Sequence, residues 1–373
     1  MAITINSTPE NYASMHDALY FVVSSNNTSQ TDFKYVFDIR IGGNLITRLK
    51  LFPDPSTKGI FNASNIVRTF ATSTFKPNAT QTAFAYTGND YYVEYVIQFG
   101  EEYGGVTYTN LASGTYRAYN TAMVAFRNYA TSYLSGYVNK LLTQRDKLQL
   151  TQRNNEKLYA SYFRDASGTM TLTVNNGVTS TTGSLVAVQT FTLFDLSPNA
   201  INTYLGTNFI GSFQNYSVTI GTETVSVQRV CSKFDTVAMH FLNELGGYDS
   251  FHFRLVNKQT RDMERKKYNP IMWELSGNNM VRYDSFKRMG GGARTFAVNE
   301  TIGYRLTSDY INETDWEWIG QLMGSPEVYI EIGGYYYPCT IKETNWEEKI
   351  RISDKLINVT MSVEVTMSNS QFR

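Results

Sequence analysis

The chain is poor in most of the residues that carry chemistry. Among 373 residues there are two cysteines, three histidines and eight prolines, and Lys+Arg equals Asp+Glu at 33 each. Two thiols, Cys231 and Cys339, exclude a disulfide framework and leave no Cys-based metal-ligand spacing. Neither has a neighbouring His or a paired Cys, and both are expected to be buried small hydrophobes. A net charge of zero lacks the basic excess of a protein that holds nucleic acid by counterion release, so no specific nucleic-acid partner is expected. No stretch approaches the roughly 20 apolar residues of a membrane helix, so membrane insertion is not expected either. The opening MAITINSTPENY has neither a basic region nor an apolar run, so synthesis and retention in a cytosol are expected. Without a secretion signal, the recurring Asn-x-Ser/Thr triplets (Asn62, Asn78, Asn215, Asn299, Asn312, Asn358) read as products of an Asn/Thr/Ser-rich composition rather than glycosylation sites.

Catalytic patterns are equally scarce. His-Glu-x-x-His, Gly-x-Ser-x-Gly and phosphate-loop motifs do not occur. His240 lies in an apolar run and His252 alternates with Phe251 and Phe253, positions that fit packed or surface strand residues better than ligands. The run from Met289 to Arg294 is glycine-rich but lacks a Lys-Ser/Thr ending, and reads as a flexible loop that could serve as a contact. Asp315/Glu317 and Glu347/Glu348 are the carboxylate pairs a glycosidase would need. The first of these is better placed as charge at a helix start. No cofactor and no catalytic residue is expected.

What the sequence does have is aromatic. Charged residues make up 18% of the chain, below the roughly 25% of ordinary soluble domains, whereas 27 Tyr and 22 Phe bring aromatics to 14%. That balance suits sheet faces and protein–protein contacts, and zero net charge protects poorly against association.

Strand patterns recur throughout. Phe33, Tyr35, Phe37, Ile39 and Ile41 alternate on one face, and a Gly42-Gly43-Asn44 turn leads back through Leu45–Phe52 as a hairpin. Asn62 is placed to cap a short helix through Phe70, and Tyr91–Phe99 with Gly105–Tyr108 forms another hairpin. Met170–Val174 and Leu185–Leu193 alternate, and Ser197-Pro198 opens a helix ended by Gly206. Strands at Tyr216–Ile220 and Thr224–Val230 flank Gly221. Val237–Leu242 leads through Asn243–Asp249 to a strand at Ser250–Val256. Lys258–Lys267 is a charged run, read as a solvated face or linker. Thr314 with Glu317 is a capping box before Trp318, Ile319, Leu322 and Met323. Val328–Ile332, Gly333-Gly334 and Tyr335–Ile341 make the clearest hairpin, and Leu356–Met367 a last strand. The expected fold is all-β: two to three β-sandwich-like modules with a few short helices. Expected boundaries are an N-terminal module over 1–140, a junction over 141–155, a middle module over 156–270 and a C-terminal module over 271–373.

Tyr335, Tyr336 and Tyr337 cannot all face one core, because successive strand residues point to opposite sides. They are the candidate interface, together with Arg294 at the end of the glycine-rich run.

Three stretches bear on family. They are Phe21-Val-Val-Ser-Ser-Asn-Asn-Thr-Ser-Gln-Thr-Asp-Phe-Lys-Tyr-Val-Phe-Asp-Ile continuing to Arg48–Pro55, Phe241-Leu-Asn-Glu-Leu-Gly-Gly-Tyr-Asp-Ser-Phe-His-Phe, and Ser325-Pro-Glu-Val-Tyr-Ile-Glu through Asp354–Thr360. Together they resemble virion structural proteins of tailed phages and prophages infecting Bacteroidota, including crAss-like phages, among tail and neck components. The resemblance implies a virion location, synthesis in the host bacterial cytoplasm, and partnership with other copies and other virion proteins as a ring, collar, tail hub or shaft subunit. It carries turns and core positions, so no active site comes with it, and residues 161–228 match none of it. The alternative is a receptor-binding or fibre-type protein that grips host surface glycans through Tyr and Trp.

Overall fold

A computed structural model describes residues 3–72, 75, 84–88, 91–121, 133–145, 147–153, 155–164, 166, 168–188, 191–269, 273–282, 293–343 and 357–370. The chain is all-β, with 56% of residues in strands against 10% in helices. It divides into two compact units. The first takes Met1–Ser232, Ala238–His252 and Glu317–Val328, and the second takes Lys233–Val237, Phe253–Trp316 and Tyr329–Arg373.

The first unit opens with a sandwich. Its strands are β1 (Thr4–Ser7), β2 (Tyr20–Ser24), β3 (Lys34–Ile41), β4 (Asn44–Leu51) and β5 (Gly59–Asn62), followed by the one-turn helix α1 (Ser64–Val67). After β6 (Ala85–Gly88), the long strands β7 (Tyr92–Tyr103) and β8 (Val106–Tyr119) complete it. One sheet runs β1-β2-β5 and the other β4-β3-β7-β8. The expected alternation holds: Phe33, Tyr35, Phe37 and Ile39 are buried against Phe21, Val23, Tyr95, Ile97 and Phe99. Gly42 and Gly43 have φ of 58° and 82°, and a two-residue turn with positive φ at both positions matches the twist of the strands it joins. Asn62 does not cap α1 in the expected way. Its Oδ1 accepts from the amides of Ser64 (3.0 Å) and Leu19 (2.9 Å), a turn that also pins the start of β2.

A second sandwich follows. It contains β9 (Lys140–Leu141), β10 (Lys147–Thr151), β11 (Tyr159–Phe163), β12 (Gly168–Asn175), β13 (Ser180–Val188) and β14 (Phe191–Asp195). The helix α2 (Pro198–Leu205) and the hairpin β15 (Tyr216–Ile220)–β16 (Glu223–Val230) close it. Its sheets run β10-β16-β15-β12-β13 and β6-β14-β11-β9, enclosing Leu150, Leu158, Leu172, Phe194, Val218 and Ile220. Two expectations fail here. Residues 141–155 are no junction, because β10 pairs in parallel with β16 from Lys147↔Ser226 to Thr151↔Val230. The apolar run Leu185–Leu193 is not one strand either, since β13 and β14 belong to different sheets. β6, from the first third of the chain, joins the second sandwich by pairing with β14. The caps of α2 follow expectation: Ser197 Oγ accepts from the Ala200 amide, Pro198 is the first helical residue, and Gly206 closes at φ 65°.

The rest of the first unit comprises β17 (Val237–Leu242), β18 (Tyr248–Phe253) and most of a later helix that begins in the second unit. An aromatic seam joins these parts. Tyr91 stacks on Phe191 (4.7 Å between ring centres), Tyr119 meets Phe163 (5.5 Å), and Phe75 stacks on His240 (5.6 Å). Much of the tyrosine-rich composition is therefore used inside the chain, where each ring buries a large apolar area and keeps a polar tip for a hydrogen bond.

The second unit holds β19 (Lys258–Tyr268), β20 (Trp273–Ser276), β21 (Asn279–Arg282), β22 (Arg294–Ile311), the first turn of α3 (Glu313–Gly324), β23 (Val328–Ile332) from Tyr329 on, β24 (Tyr335–Ile341) and β25 (Ile357–Ser370). Five strands run β23-β24-β25-β22-β19, and β20–β21 is a separate hairpin. Along β25, Val359, Met361, Val363 and Val365 are buried in alternation. The helix α3 starts earlier than the capping box suggested. Asn312 is its cap: its Oδ1 accepts the Asp315 amide at 2.7 Å, and its carbonyl accepts the first intrahelical bond, from the Trp316 amide at 3.0 Å.

Candidate assembly interface

Lys258–Lys267, expected to be a solvated face or linker, is a strand. All eleven residues of β19 are exposed, yet they pair with β22 in an antiparallel register from Lys258↔Arg305 to Tyr268↔Arg294, interrupted by one bulge at Lys266/Lys267. The charged sequence has weak strand propensity of its own, so pairing with β22 holds it extended. β22 is eighteen residues long and rich in Thr, Tyr, Ile, Phe and Val, a signal present in the sequence but not read as a strand there.

β25 supports β22 from Asn299↔Ser370 to Ile311↔Ile357. Beyond that, among the described residues, Arg265–Tyr268 and Arg294–Val298 form a ribbon two strands wide. Arg294 lies on this outer stretch, opposite Tyr268. Beside it Phe296 is 60% exposed, and its ring meets that of Tyr268 at 6.2 Å. A two-stranded ribbon in water is marginally stable and contributes nothing to a core. This one carries Arg294, Phe296 and Tyr268 outward, the residue types enriched at protein interfaces.

The tyrosine triplet lies on β24, in register with β23 as Ile332↔Tyr335, Glu331↔Tyr336 and Ile330↔Tyr337. The Gly333-Gly334 turn, at φ 60° and 81°, fixes that register. None of the three is buried: Tyr335 is 61% exposed, and Tyr336 and Tyr337 are half-buried. The triplet and Arg294 sit on strands separated by β25, so they are not brought to one point. Lys342, just past β24, ties the sheet together by reaching Asp262 on β19 and Glu364 on β25, each at 3.3 Å.

The stretch Phe241–Phe253 has an internal role. Asn243 Oδ1 accepts from the amides of Leu245 (3.0 Å) and Gly247 (2.9 Å), while Nδ2 donates to the Leu142 carbonyl (2.6 Å) and to Asp249 Oδ2 (3.1 Å). Trp318 Nε1 also donates to Asp249 Oδ2, at 2.8 Å. Burial raises the pKa of Asp249, against the lowering effect of the hydrogen bonds from Trp318, Asn243 and Thr143 and of the Arg145 charge. Tyr248 donates to Glu327 Oε2 (2.6 Å), and Tyr91 donates to the Leu245 carbonyl (2.8 Å). His240 and Ser250 share a buried hydrogen bond at 2.8 Å. These groups hold a turn in place.

The remaining chemistry-bearing residues are dispersed. Among the described residues no cluster of three or more His, Cys, Asp or Glu is arranged to hold a metal. His16 meets Asn120 Oδ1 at 3.0 Å near the surface. Cys231 is exposed, against expectation, because it lies just beyond β16 where the strand's alternation has ended. Cys339 is half-buried, and burial pushes its thiol up to about 12. Asp315 and Glu317 stand in the first turns of α3. The glycine run 289–292 and the pair Glu347/Glu348 lie outside the described residues. No helix among the described residues is long and apolar enough to cross a membrane. Comparison of the chain with protein-family models and with curated proteins returned no match.

Proposed function

We propose that the chain is a non-catalytic structural subunit of a tailed-phage virion, joined in many copies as a ring, collar or tail subunit in its tail or neck region. The observation that carries this reading is the ribbon of β19 and β22. It costs chain and conformational entropy, buries almost nothing of its own, and presents Phe296, Tyr268 and Arg294 to a partner. The half-exposed face of β24 at Tyr335–Tyr337 adds a second, dissimilar surface, and ring closure requires two dissimilar surfaces on each copy. The virion setting rests on the resemblance of three stretches, one of which forms the buried turn at Asn243–Asp249. The alternative, a fibre-type protein recognising host surface glycans, would bind glycans without needing copies of itself.

Negative-stain microscopy with mass by light scattering on purified protein tests the assembly reading. Rings or tubes are expected. Phe296→Asp and Tyr336→Asp are expected to reduce the assembled mass while leaving the melting temperature of the subunit unchanged. A wild-type protein that stays monomeric alone and when mixed with its virion partners would refute the reading.

A further inference from the structure

A cleft of about 440 Å³ opens on the first sandwich among Pro9, Glu10, Asn11, Tyr12 and the facing stretch of β7 and β8. We propose that it is a subsite for a neutral pyranose, one or two sugar rings deep. The proposal deepens the glycan alternative given above and does not depend on assembly.

The cleft is built rather than incidental. Tyr12 has φ 65°, a left-handed conformation that a bulky aromatic residue rarely adopts and that persists only where its surroundings impose it. Here they do. The Tyr119 amide donates to the Ala13 carbonyl (2.8 Å) and the Met15 amide to the Tyr119 carbonyl (2.9 Å), fastening the loop to the end of β8. The Tyr12 ring packs against Tyr119 (5.5 Å) and Phe163 (5.9 Å), leaving the residue half-buried at the cleft wall. On the other side, Arg117 Nε donates to Glu94 Oε2 at 3.0 Å, and its guanidinium lies 4.6 Å over the Tyr92 ring. Both walls are therefore set before any ligand arrives, which lowers the entropy lost on binding.

The lining selects the ligand class. Cleft volume falls within the roughly 300–1,000 Å³ of small-molecule sites. Tyr12 is the half-buried aromatic of the lining and supplies ring surface and a hydroxyl tip to a sugar, backed by the buried Tyr119 and by Tyr116, whose ring packs on Phe21 and Tyr95. Glu10, Asn11, Glu94, Thr115 and Arg117 combine acceptors and donors, the mixture a polyol needs because each of its hydroxyls both gives and takes a hydrogen bond. Two carboxylates against one guanidinium leave the lining negative on balance, so sialylated, sulfated and phosphorylated ligands are disfavoured.

A glycan array carrying neutral, sialylated and sulfated glycans, followed by titration calorimetry with the best neutral ligand, tests the site. The wild type is expected to retain neutral glycans in preference to anionic ones. Arg117 and Glu94 are about half exposed, so Arg117→Ala and Glu94→Ala are expected to fold normally, checked by an unchanged melting temperature. Each is expected to weaken binding about tenfold or more. Absence of neutral-glycan binding, a preference for anionic glycans, or affinity unchanged in both variants would overturn the proposal. None of these outcomes bears on ring formation, and loss of assembly in Phe296→Asp has no bearing on the cleft.

Discussion

Replacing Asn243 with alanine should be among the most damaging single changes in the first unit. Its side chain makes four hydrogen bonds inside a fully buried turn: two accepted from Leu245 and Gly247, two donated to Leu142 and Asp249. Alanine leaves two amides, a carbonyl and a carboxylate short of a partner at once. At about 1 kcal/mol for each buried bond lost, the cost is roughly 4 kcal/mol, and more if water cannot enter the space left behind. That is a large fraction of the roughly 5–15 kcal/mol that keeps a domain folded. For a unit of this size it corresponds to a fall of about 8–16 °C in the melting temperature. Thermal unfolding by circular dichroism measures the loss. Hydrogen exchange at the Leu245 and Gly247 amides localises it, since both should pass from protected to fast-exchanging. Asn243→Asp separates the two halves of the role. It keeps the acceptors for both amides, but abolishes the donation to Leu142 and sets a second carboxylate against Asp249, so it should also destabilise. A loss below about 1 kcal/mol in Asn243→Ala, with amide protection intact, would refute the account of this turn as a hydrogen-bonded knot.

Gly246 stands in the same turn at φ 80°, and a Cβ there would lie 2.3 Å from the Asn120 carbonyl oxygen, so Gly246→Ala should cost about 3 kcal/mol or more by denaturant titration. Hydrogen bonds from Lys50 first, then from Thr107, together with the nearby Lys34 charge, lower Glu102 from 4.5 to about 2. A depressed carboxylate stabilises the fold above its unfolded pKa and loses that contribution as pH falls through the folded value. Acid titration of stability should therefore show a decline between pH 4.5 and about 2 that is reduced in Lys50→Met. A maleimide should label Cys231 in the native protein and leave Cys339 unlabelled until denaturant is added, which mass spectrometry reads directly.

The parts legible in the sequence are those fixed by neighbours along the chain. Phe33, Tyr35, Phe37 and Ile39 share a face because strand side chains alternate, and Gly42-Gly43 and Gly333-Gly334 turn because only glycine reaches positive φ freely at two successive positions. Ser197, Pro198 and Gly206 bound α2 for equally local reasons. What escaped was decided by distant partners. The charged residues of β19 carry no strand signal and become one through β22. β6 leaves the first sandwich for β14, more than a hundred residues away in the chain, and within 141–155 Leu141 and Lys147–Thr151 become strand through β11 and β16. The run Leu185–Leu193 gave no sign of its break, because both halves are apolar and each is buried in a different sheet. Of the candidate site, strand alternation required only that Tyr335, Tyr336 and Tyr337 not all face one core, without saying which is exposed, and the ribbon that positions Arg294 was not legible.

The charge order along β19 bears on how copies would meet. Its outer edge closes the five-strand series, and an unpaired edge is the usual route for one sheet to extend into another. Antiparallel pairing of two copies about Met263 would set Arg261 against Arg265 and Asp262 against Glu264. Like charges directly opposite one another destabilise a strand pair. Moving the register by one residue brings Arg261 opposite Glu264, but it then opposes Lys258 to Lys267. Moving it the other way brings Asp262 opposite Arg265 and opposes Arg261 to Lys266. The edge is thus guarded against joining itself, in the manner of strands that carry lysine to prevent edge-to-edge aggregation. A two-fold contact through β19 is disfavoured, so in the proposed assembly the outward-facing Phe296, Tyr268 and Arg294 would meet a different surface on the next copy. Contacts between unlike surfaces are the kind that propagate around a ring or along a tube. On the proposed reading, the charges of β19 would exclude edge-to-edge pairing of copies and leave only a head-to-tail order, the order that a collar or tail requires.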